Sequence, residues 1–376
     1  MSEFKNLPSG WKVMRLGDVC DFYKGKGISK DDISENGISC IRYGELYTTY
    51  SERIDEIYSK TNLNPSELFL SKCNDIIIPC SGETAQDIAK ASCVLLDGIA
   101  LGGDLNVLRT RENGIFLSYY LNVIAKKDIA KIAQGVSIVH LYASELKNLK
   151  IKIPSVDEQK KIVEILSTWD EAINLTINLI ESKKQFKKAL MQNLLTAKIR
   201  FPQFKEKWKE IKLGEICEIQ TGKLNANAMI QGGRYKFFTC AKEVFEIDDY
   251  AFDTEAILVS GNGENVGYIH YFNGKFNAYQ RTYVLDKFTE NILFIKYFLE
   301  FALKRKIEIE KKDGNTPYIV LSTIFGFIVK LPNLKEQQKI AEVLTACDDE
   351  INLLNLKLEN LKKQKQGLMQ KLLSGK

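Results

Sequence analysis

The residues with the greatest chemical reach in this chain are two histidines, eight cysteines and the lysines of three internal Gly-Lys pairs, and their spacing decides what they could do. A phosphate-binding P-loop needs G-x-x-x-x-G-K-[ST], so that backbone N–H groups cradle the anion while the lysine and hydroxyl complete the site. Gly25-Lys26, Gly222-Lys223 and Gly274-Lys275 are followed instead by Gly, Leu and Phe. The stretch GNGENVG (261–267) has the spacing G-x-G-x-x-x-G, and the YIHYF behind it reads as a strand. A dinucleotide site would place a helix N-terminus there. Adjacent prolines, as in the Pro-Pro-Tyr of an adenine methyltransferase, are absent: the seven prolines stand apart. His140 and His270 have no triad context around them. The cysteines form no C-x-x-C pair, so no metal site is expected, and they read as small buried hydrophobes in a reducing compartment. The acid pairs Asp31-Asp32, Asp248-Asp249 and Asp348-Asp349 read as solvated turns and helix faces. The chain reads as non-catalytic.

The elements that would position these residues belong to a chain of 376 residues, 45% apolar and 27% charged, which suits two to three ordinary domains. No apolar run approaches a membrane span, and MSEFKNLPSG lacks a signal peptide's apolar core, so a cytoplasmic protein with no membrane partner is expected. A net charge of +5 permits a nucleic-acid partner without requiring one.

A long internal repeat organises the chain. IPSVDEQKKI returns as LPNLKEQQKI, with Pro154 and Pro332 178 residues apart. The segments Ile153–Lys198 and Leu331–Lys376 align without a gap, with 20 identities in 46 positions. Ser155-x-x-Glu158 and Asn333-x-x-Glu336 read as capping boxes, in which the glutamate reaches back to the cap. The first segment then carries Ile162, Leu166, Trp169, Ile173, Thr176, Ile180, Lys183, Lys187, Leu190 and Leu194 in steps of four and three. The second carries Ile340, Leu344, Cys347, Ile351, Leu354, Leu358, Leu361, Lys365, Leu368 and Leu372 in the same register. Such a stripe predicts coiled-coil packing. Lys187 and Lys365 interrupt it at equivalent positions, either as side chains that snorkel out of the seam or as determinants of register. Each helix of about 40 residues would be roughly 60 Å long. A compact domain between them has ends too close to span that distance, so the second helix should run antiparallel to the first.

The segments before each helix also match. WKVMRLGDVCDFYKGKG parallels WKEIKLGEICEIQTGK, and DIIIPCSGE (75–83) parallels EAILVSGNGE (255–264) as a buried strand entering a polar loop. Asp97-Gly98 and Asn273-Gly274 read as hairpin turns. A strand follows in each half (NVLRT, RTYVLD), then an amphipathic helix (115–134 and 292–312). Each half closes with a glycine loop and a β-rich exit, QGVSIVHL to KIKIP and DGNTPYIVL to VKLP. The fold class expected is α+β: a domain over 1–152, a long helix over 153–200, a second domain over 201–330 and a second helix over 331–376, the helices pairing antiparallel with pseudo-twofold symmetry.

These tandem blocks, LPSGWKVMRLGDV, SGETAQ, IPSVDEQKKI and LLTAKIRF, then WKEIKLGEI, LPNLKEQQKI and LLSGK, resemble the specificity subunit of type I restriction–modification systems over essentially the whole chain. The resemblance implies two target recognition domains, each reading one half of a bipartite, asymmetric site in double-stranded DNA. The paired helices would act as a spacer and dock methyltransferase subunits, expected as two. It implies no cofactor in this chain: S-adenosylmethionine would belong to the methyltransferase subunits, and ATP and Mg to the restriction and translocase subunits.

Base reading uses Arg for guanine and Asn or Gln for adenine, while phosphates take Lys, Arg and backbone N–H groups. In the first domain the candidates are Lys24, Lys26, Lys30, Arg42, Ser81, Glu83, Thr84, Gln86, Ser137 and His140. In the second they are Lys223, Asn225, Asn227, Arg234, Lys236, Asn262, Asn265, Gln280 and Arg281. Two other readings stand beside this one: a coiled-coil scaffold with two protein-binding domains and no DNA, and a specificity subunit serving a methylation-only system.

Overall fold

The computed structural model describes residues 7–135, 137–310 and 318–375. The chain divides into two compact units, one formed by residues 1–176 with 357–376, the other by 177–356. Both long helices form as the stripes predict, Val156–Leu194 and Leu334–Ser374. Each contributes one segment to each unit.

In the first unit, an antiparallel pair ties Lys12–Arg15 to Lys150–Ile153, the strand that feeds the first long helix. A five-stranded sheet has Leu105–Thr110 between Cys20–Lys24 and Asp75–Pro79, flanked by Ser92–Val94 and Arg53–Ile54. Asp75–Pro79 is buried along its whole length, which explains why DIIIP shows no apolar–polar alternation. A second five-stranded sheet contains Ile38–Ile41 and Ala100–Leu101. The helix Gly114–Val123 covers the core, capped where Asn113 Oδ1 accepts from Phe116 N–H at 3.0 Å. The helix expected over 115–134 breaks here: the N–H groups of Ile124 and Ala125 both donate to the Tyr120 carbonyl, and Lys126–Ile132 starts afresh.

The second unit repeats the plan with one larger sheet. Lys209–Lys212 pairs with Ile328–Leu331, which feeds the second long helix. A six-stranded sheet runs Glu218–Thr221, Thr282–Asp286, Phe252–Ser260, Ile269–Ala278, Tyr235–Phe238, Phe245–Ile247. The helix Ile292–Glu310 is capped in the same way, with Asn291 Oδ1 accepting from Phe294 N–H at 2.9 Å. The Gly314 loop of the repeat lies outside the described residues.

Both expected hairpins are absent. Ser92–Val94 and Ala100–Leu101, either side of Asp97-Gly98, belong to different sheets, so the turn passes the chain from one sheet to the other. Asn273-Gly274 lies inside the single strand Ile269–Ala278, where Asn273 is paired with Glu255. Gly274 takes φ +132°, which a glycine tolerates without a turn.

The stripe residues do two jobs. In the first unit Ile162 and Leu166 join Met369 and Leu373 in the domain core with Trp11, Phe116 and Leu121. In the second, Leu194 and Leu195 join Ile340 and Leu344 in the core with Phe294 and Leu299. Every remaining stripe position is buried or half-buried. Within the first unit Asp170 meets Lys365, and within the second Lys183 meets Glu350 and Lys187 meets Asp348. Rising numbers on one helix meet falling numbers on the other, so the segments are antiparallel.

Lys187 and Lys365 do not snorkel. Lys365 is 9% exposed and donates to Asp170, which also accepts from the Tyr119 hydroxyl. The Lys365 ammonium lies 5.1 Å from the Tyr119 ring centre and 3.9 Å from Glu52. In the second unit Lys187 donates to Asp348 at 2.6 Å, Tyr297 O–H donates to the other Asp348 oxygen at 2.7 Å, and the ammonium lies 5.0 Å from the Tyr297 ring. Asp348, expected on a solvated face, is thus part of the seam. Burial and the aspartate beside each phenol raise the pKa of Tyr119 and of Tyr297, so both stay protonated donors.

The repeated Glu-Gln is explained by what it grips. Gln159 Nε2 donates to Glu112 at 2.8 Å and to the Pro154 carbonyl at 3.0 Å, while its Oε1 accepts from Asn113 N–H at 3.0 Å. Gln337 does the same with Glu290 at 2.6 Å, Pro332 at 2.9 Å and Asn291 at 3.0 Å. Both glutamines are fully buried, and each ties the start of a long helix to the cap of a domain helix. The capping boxes are only half realised. Ser155 Oγ and Asn333 Oδ1 accept from the N–H of Glu158 and Glu336. The glutamates turn elsewhere: Glu158 accepts from Trp11 Nε1 at 3.0 Å, and Glu336 takes a two-pronged grip from Arg200 at 2.9 and 2.7 Å.

Candidate nucleic-acid interface

Three strands of the first unit end together: Cys20–Lys24 and Asp75–Pro79 finish where the antiparallel Leu105–Thr110 begins. The loops leaving that end are stitched by backbone. Gly25 N–H donates to Leu105 at 3.0 Å, Lys26 N–H to Leu101 at 2.9 Å, and Cys80 N–H to Asp104 at 2.7 Å. Glycine makes this possible, because a Cβ on Gly25 would stand 2.0 Å from the Gly102 carbonyl. His140 pairs in register with Ser81, and Leu141 N–H donates to Cys80 at 2.9 Å. Tyr47 O–H donates to the Ser81 carbonyl at 3.0 Å, which joins the Arg42 segment to the same end.

Lys24, Lys26, Lys30, Arg42, Ser81 and His140 are thereby carried on one set of linked loops. Glu83, Thr84 and Gln86 follow directly on Ser81, and Ser137 lies in the turn closed where Gln134 and His140 exchange backbone hydrogen bonds. Glu83, Thr84, Gln86, Ser137, His140 and the three lysines are exposed. Thr84 O–H donates to Asp87 at 2.5 Å, so its hydroxyl is already engaged.

The second unit has the corresponding end. Glu218–Thr221 and Phe252–Ser260 finish where Thr282–Asp286 begins. Gln280 N–H donates to Leu224 at 2.9 Å, Gly261 N–H to Arg281 at 2.9 Å, and Tyr279 N–H to Phe238 at 2.9 Å. A Cβ on Gly222 would lie 1.9 Å from the Ala278 carbonyl, so this approach too demands glycine. Lys223, Asn225, Asn227, Gln280 and Arg281 are exposed on these loops, and Asn262 and Asn265 are half-exposed on the next one. Asn262 bridges Tyr318, while Ile319 N–H donates to Gly261 at 2.8 Å.

Arg234 and Lys236 stand apart from this cluster, at the start of the strand whose far end reaches Tyr279. Arg234 donates to the Asp248 carbonyl at 3.2 Å, and Lys236 pairs with Glu246 at 3.2 Å. Their donors are partly spent within their own hairpin. His270 lies 3.0 Å from the Ala241 carbonyl, and burial lowers its pKa, which favours the uncharged ring.

Sequence reasoning missed the seam residues Tyr119, Tyr297 and Asp170 and the clamping partners of Gln159 and Gln337. The signal was available, since each recurs at the 178-residue offset as the same residue type. No helix among the described residues is long and apolar enough to cross a membrane.

Two α+β units, each built on a sheet whose loops converge at one end and joined to segments of paired long helices, define the fold class of the specificity subunits. The family model for the type I restriction modification DNA specificity domain matches residues 8–182 and 205–363, once on each half of the chain, and the protein belongs to this family. Its function is that of a specificity subunit of a type I restriction–modification system. Over 154 residues it is 40% identical to the EcoDI specificity subunit of Escherichia coli, an alignment covering 41% of this chain and 34% of that one. It is 24% identical to the MjaVIII specificity subunit of Methanocaldococcus jannaschii, covering 98% of this chain and 93% of that one. The crystal structure of the type I S subunit from M. genitalium matches in fold with TM-score 0.67 and 19% identity, over 99% of this chain and 98% of that one. The coiled-coil scaffold that reads no DNA is not favoured by these relatives.

Proposed function

We propose that each unit reads one half of a bipartite, asymmetric DNA site with the loops gathered at its sheet end. One observation carries this reading: both units converge their loops at the same sheet end, yet the two loop sets differ in chemistry. The first set offers three lysines and Arg42, the second Lys223, Arg281 and a run of amides. A shared scaffold with dissimilar loops suits one task performed on two different targets. The two helices fix the spacing between the half-sites and provide the docking surface for two methyltransferase subunits. One turn of duplex is about 34 Å. A spacer of at most roughly 60 Å covers that distance.

The chain itself does no chemistry in this account. Adenine methylation with S-adenosylmethionine belongs to the methyltransferase subunits, and ATP- and Mg-dependent translocation and cleavage to the restriction subunits. The test is an exchange: residues 1–150 replaced by the corresponding domain of a relative with another site. One half of the recognised sequence should change and the other stay. A change in both halves would overturn the two-reader account.

A further inference from the structure

The loop end of the first unit contains a cleft of about 690 Å³, floored by glycine backbone at positions 27, 102 and 103 and flanked by Lys30, Arg42 and Glu45. Side chains would crowd two of these positions: a Cβ on Gly103 would lie 3.2 Å from Gly27, and one on Gly102 would lie 3.2 Å from the Ile41 carbonyl. Arg42 is the one residue of this lining with a forked pair of donors. Its side chain is 27% exposed. Its Nε is sealed from solvent, makes no hydrogen bond, and faces Glu45 Oε2 at 3.9 Å. Arg42 lines the cleft, and no described residue accepts a hydrogen bond from its terminal amino nitrogens.

Glu45 is built to hold this arrangement. It is 8% exposed, its Oε2 accepts from Arg42 backbone N–H at 2.7 Å, and its Oε1 accepts from the Ser59 hydroxyl. A buried carboxylate fixed at both oxygens holds a negative charge 3.9 Å from Nε while using none of the outer donors of the guanidinium. Such a fork suits two acceptors in one plane, and in the DNA major groove the N7 and O6 of guanine are that pair. We infer that Arg42 reads a guanine in the half-site of the first unit, with Glu45 as its positioning residue. This rests on the proposed DNA-reading function.

The experiment uses the full chain in the complex it forms in its host, and duplexes bearing the motif whose methylation depends on this gene. Each guanine in turn is replaced by 7-deazaguanine, which removes the N7 acceptor and alters nothing else in the pairing. With the unmodified protein, one guanine should cost about tenfold or more in affinity, the scale of a bidentate contact. Arg42→Gln should lose a similar factor on ordinary DNA and show no further loss at that guanine, while retaining discrimination in the other half-site. That retention shows the variant is folded. Glu45→Gln should weaken the same discrimination and leave binding to unrelated DNA unchanged. If Arg42→Gln lowers affinity equally on all sequences and reduces the salt slope by about one, Arg42 contacts a phosphate and the inference fails. Losses that add at every guanine also overturn it. If the unmodified complex does not distinguish the motif from scrambled DNA, the function reading fails instead.

Discussion

Lys365 and Asp170 form an ion pair in the seam of the first unit, and Lys187 and Asp348, each displaced by 178 residues, form the same pair in the second with the helices in exchanged roles. Tyr119 and Tyr297, also 178 apart, donate to the two aspartates. An antiparallel pair of related helices has this property: one polar device, written once per repeat, closes the seam twice. Because a lysine can be matched only where an aspartate faces it, a slip of one turn would leave a buried ammonium unpaired. The pair therefore specifies register.

Lys365→Met should destabilise the chain by about 2 kcal/mol, less than a fully buried pair because the Asp170 side chain keeps 30% exposure. Lys365→Met with Asp170→Leu should recover most of that loss, since two apolar groups replace two paired charges. Denaturant titration of the four members of the cycle measures the coupling. Additive losses would mean that the pair is not a unit.

Gln159→Ala and Gln337→Ala each remove three hydrogen bonds and strand a buried carbonyl and N–H group. A cost of about 2–3 kcal/mol is expected for each. Hydrogen exchange should localise the effect, with faster exchange at the N-terminus of Gly114–Val123 in the first variant and of Ile292–Glu310 in the second. Uniform acceleration along the chain would argue against a local clamp.

Asp286 is 3% exposed, its Oδ1 has no partner, and burial raises its pKa above the usual 3.8. The folded state favours the protonated carboxyl, so stability is lost as pH rises through the raised pKa. Asp286→Asn mimics the protonated form and should gain about 1 kcal/mol at neutral pH. The gain should shrink as pH falls toward 3.8. Thermal melts at pH 5 and pH 8 test this, and a gain that grows on acidification would contradict it.

Four residues inserted in both helices, near Ser182 and near Asn360, add about one turn, roughly 6 Å, to each. Activity should be lost, or the unread gap between the half-sites should lengthen. Full activity at the original spacing would remove the spacer role.

Much of this organisation was legible in the sequence because duplication made it redundant. The helix stripes were visible as steps of four and three, and the strands DIIIP and RTYVLD as short apolar runs. What escaped were relationships closed across the fold. Nothing local marks Tyr119 as the partner of Asp170, and a lysine in an apolar stripe looks like a snorkelling side chain until its carboxylate is located. The two false hairpins had a related cause. Asp-Gly and Asn-Gly favour tight turns locally, but sheet pairing used one as a crossing between sheets and absorbed the other into a ten-residue strand. Most of the candidate DNA contacts gathered at the sheet ends. Arg234 and Lys236 did not, because they stand at the start of a strand whose other end reaches Tyr279.

The most direct test of the account is a genome-wide map of methylated adenines in the host, with and without this gene. Loss of one bipartite motif, with all others retained, is the expected result, and it would yield both half-sites and their spacing at once. If the host's methyltransferase subunits are expressed and the map is unchanged by deletion, the chain does not direct methylation and the account is contradicted.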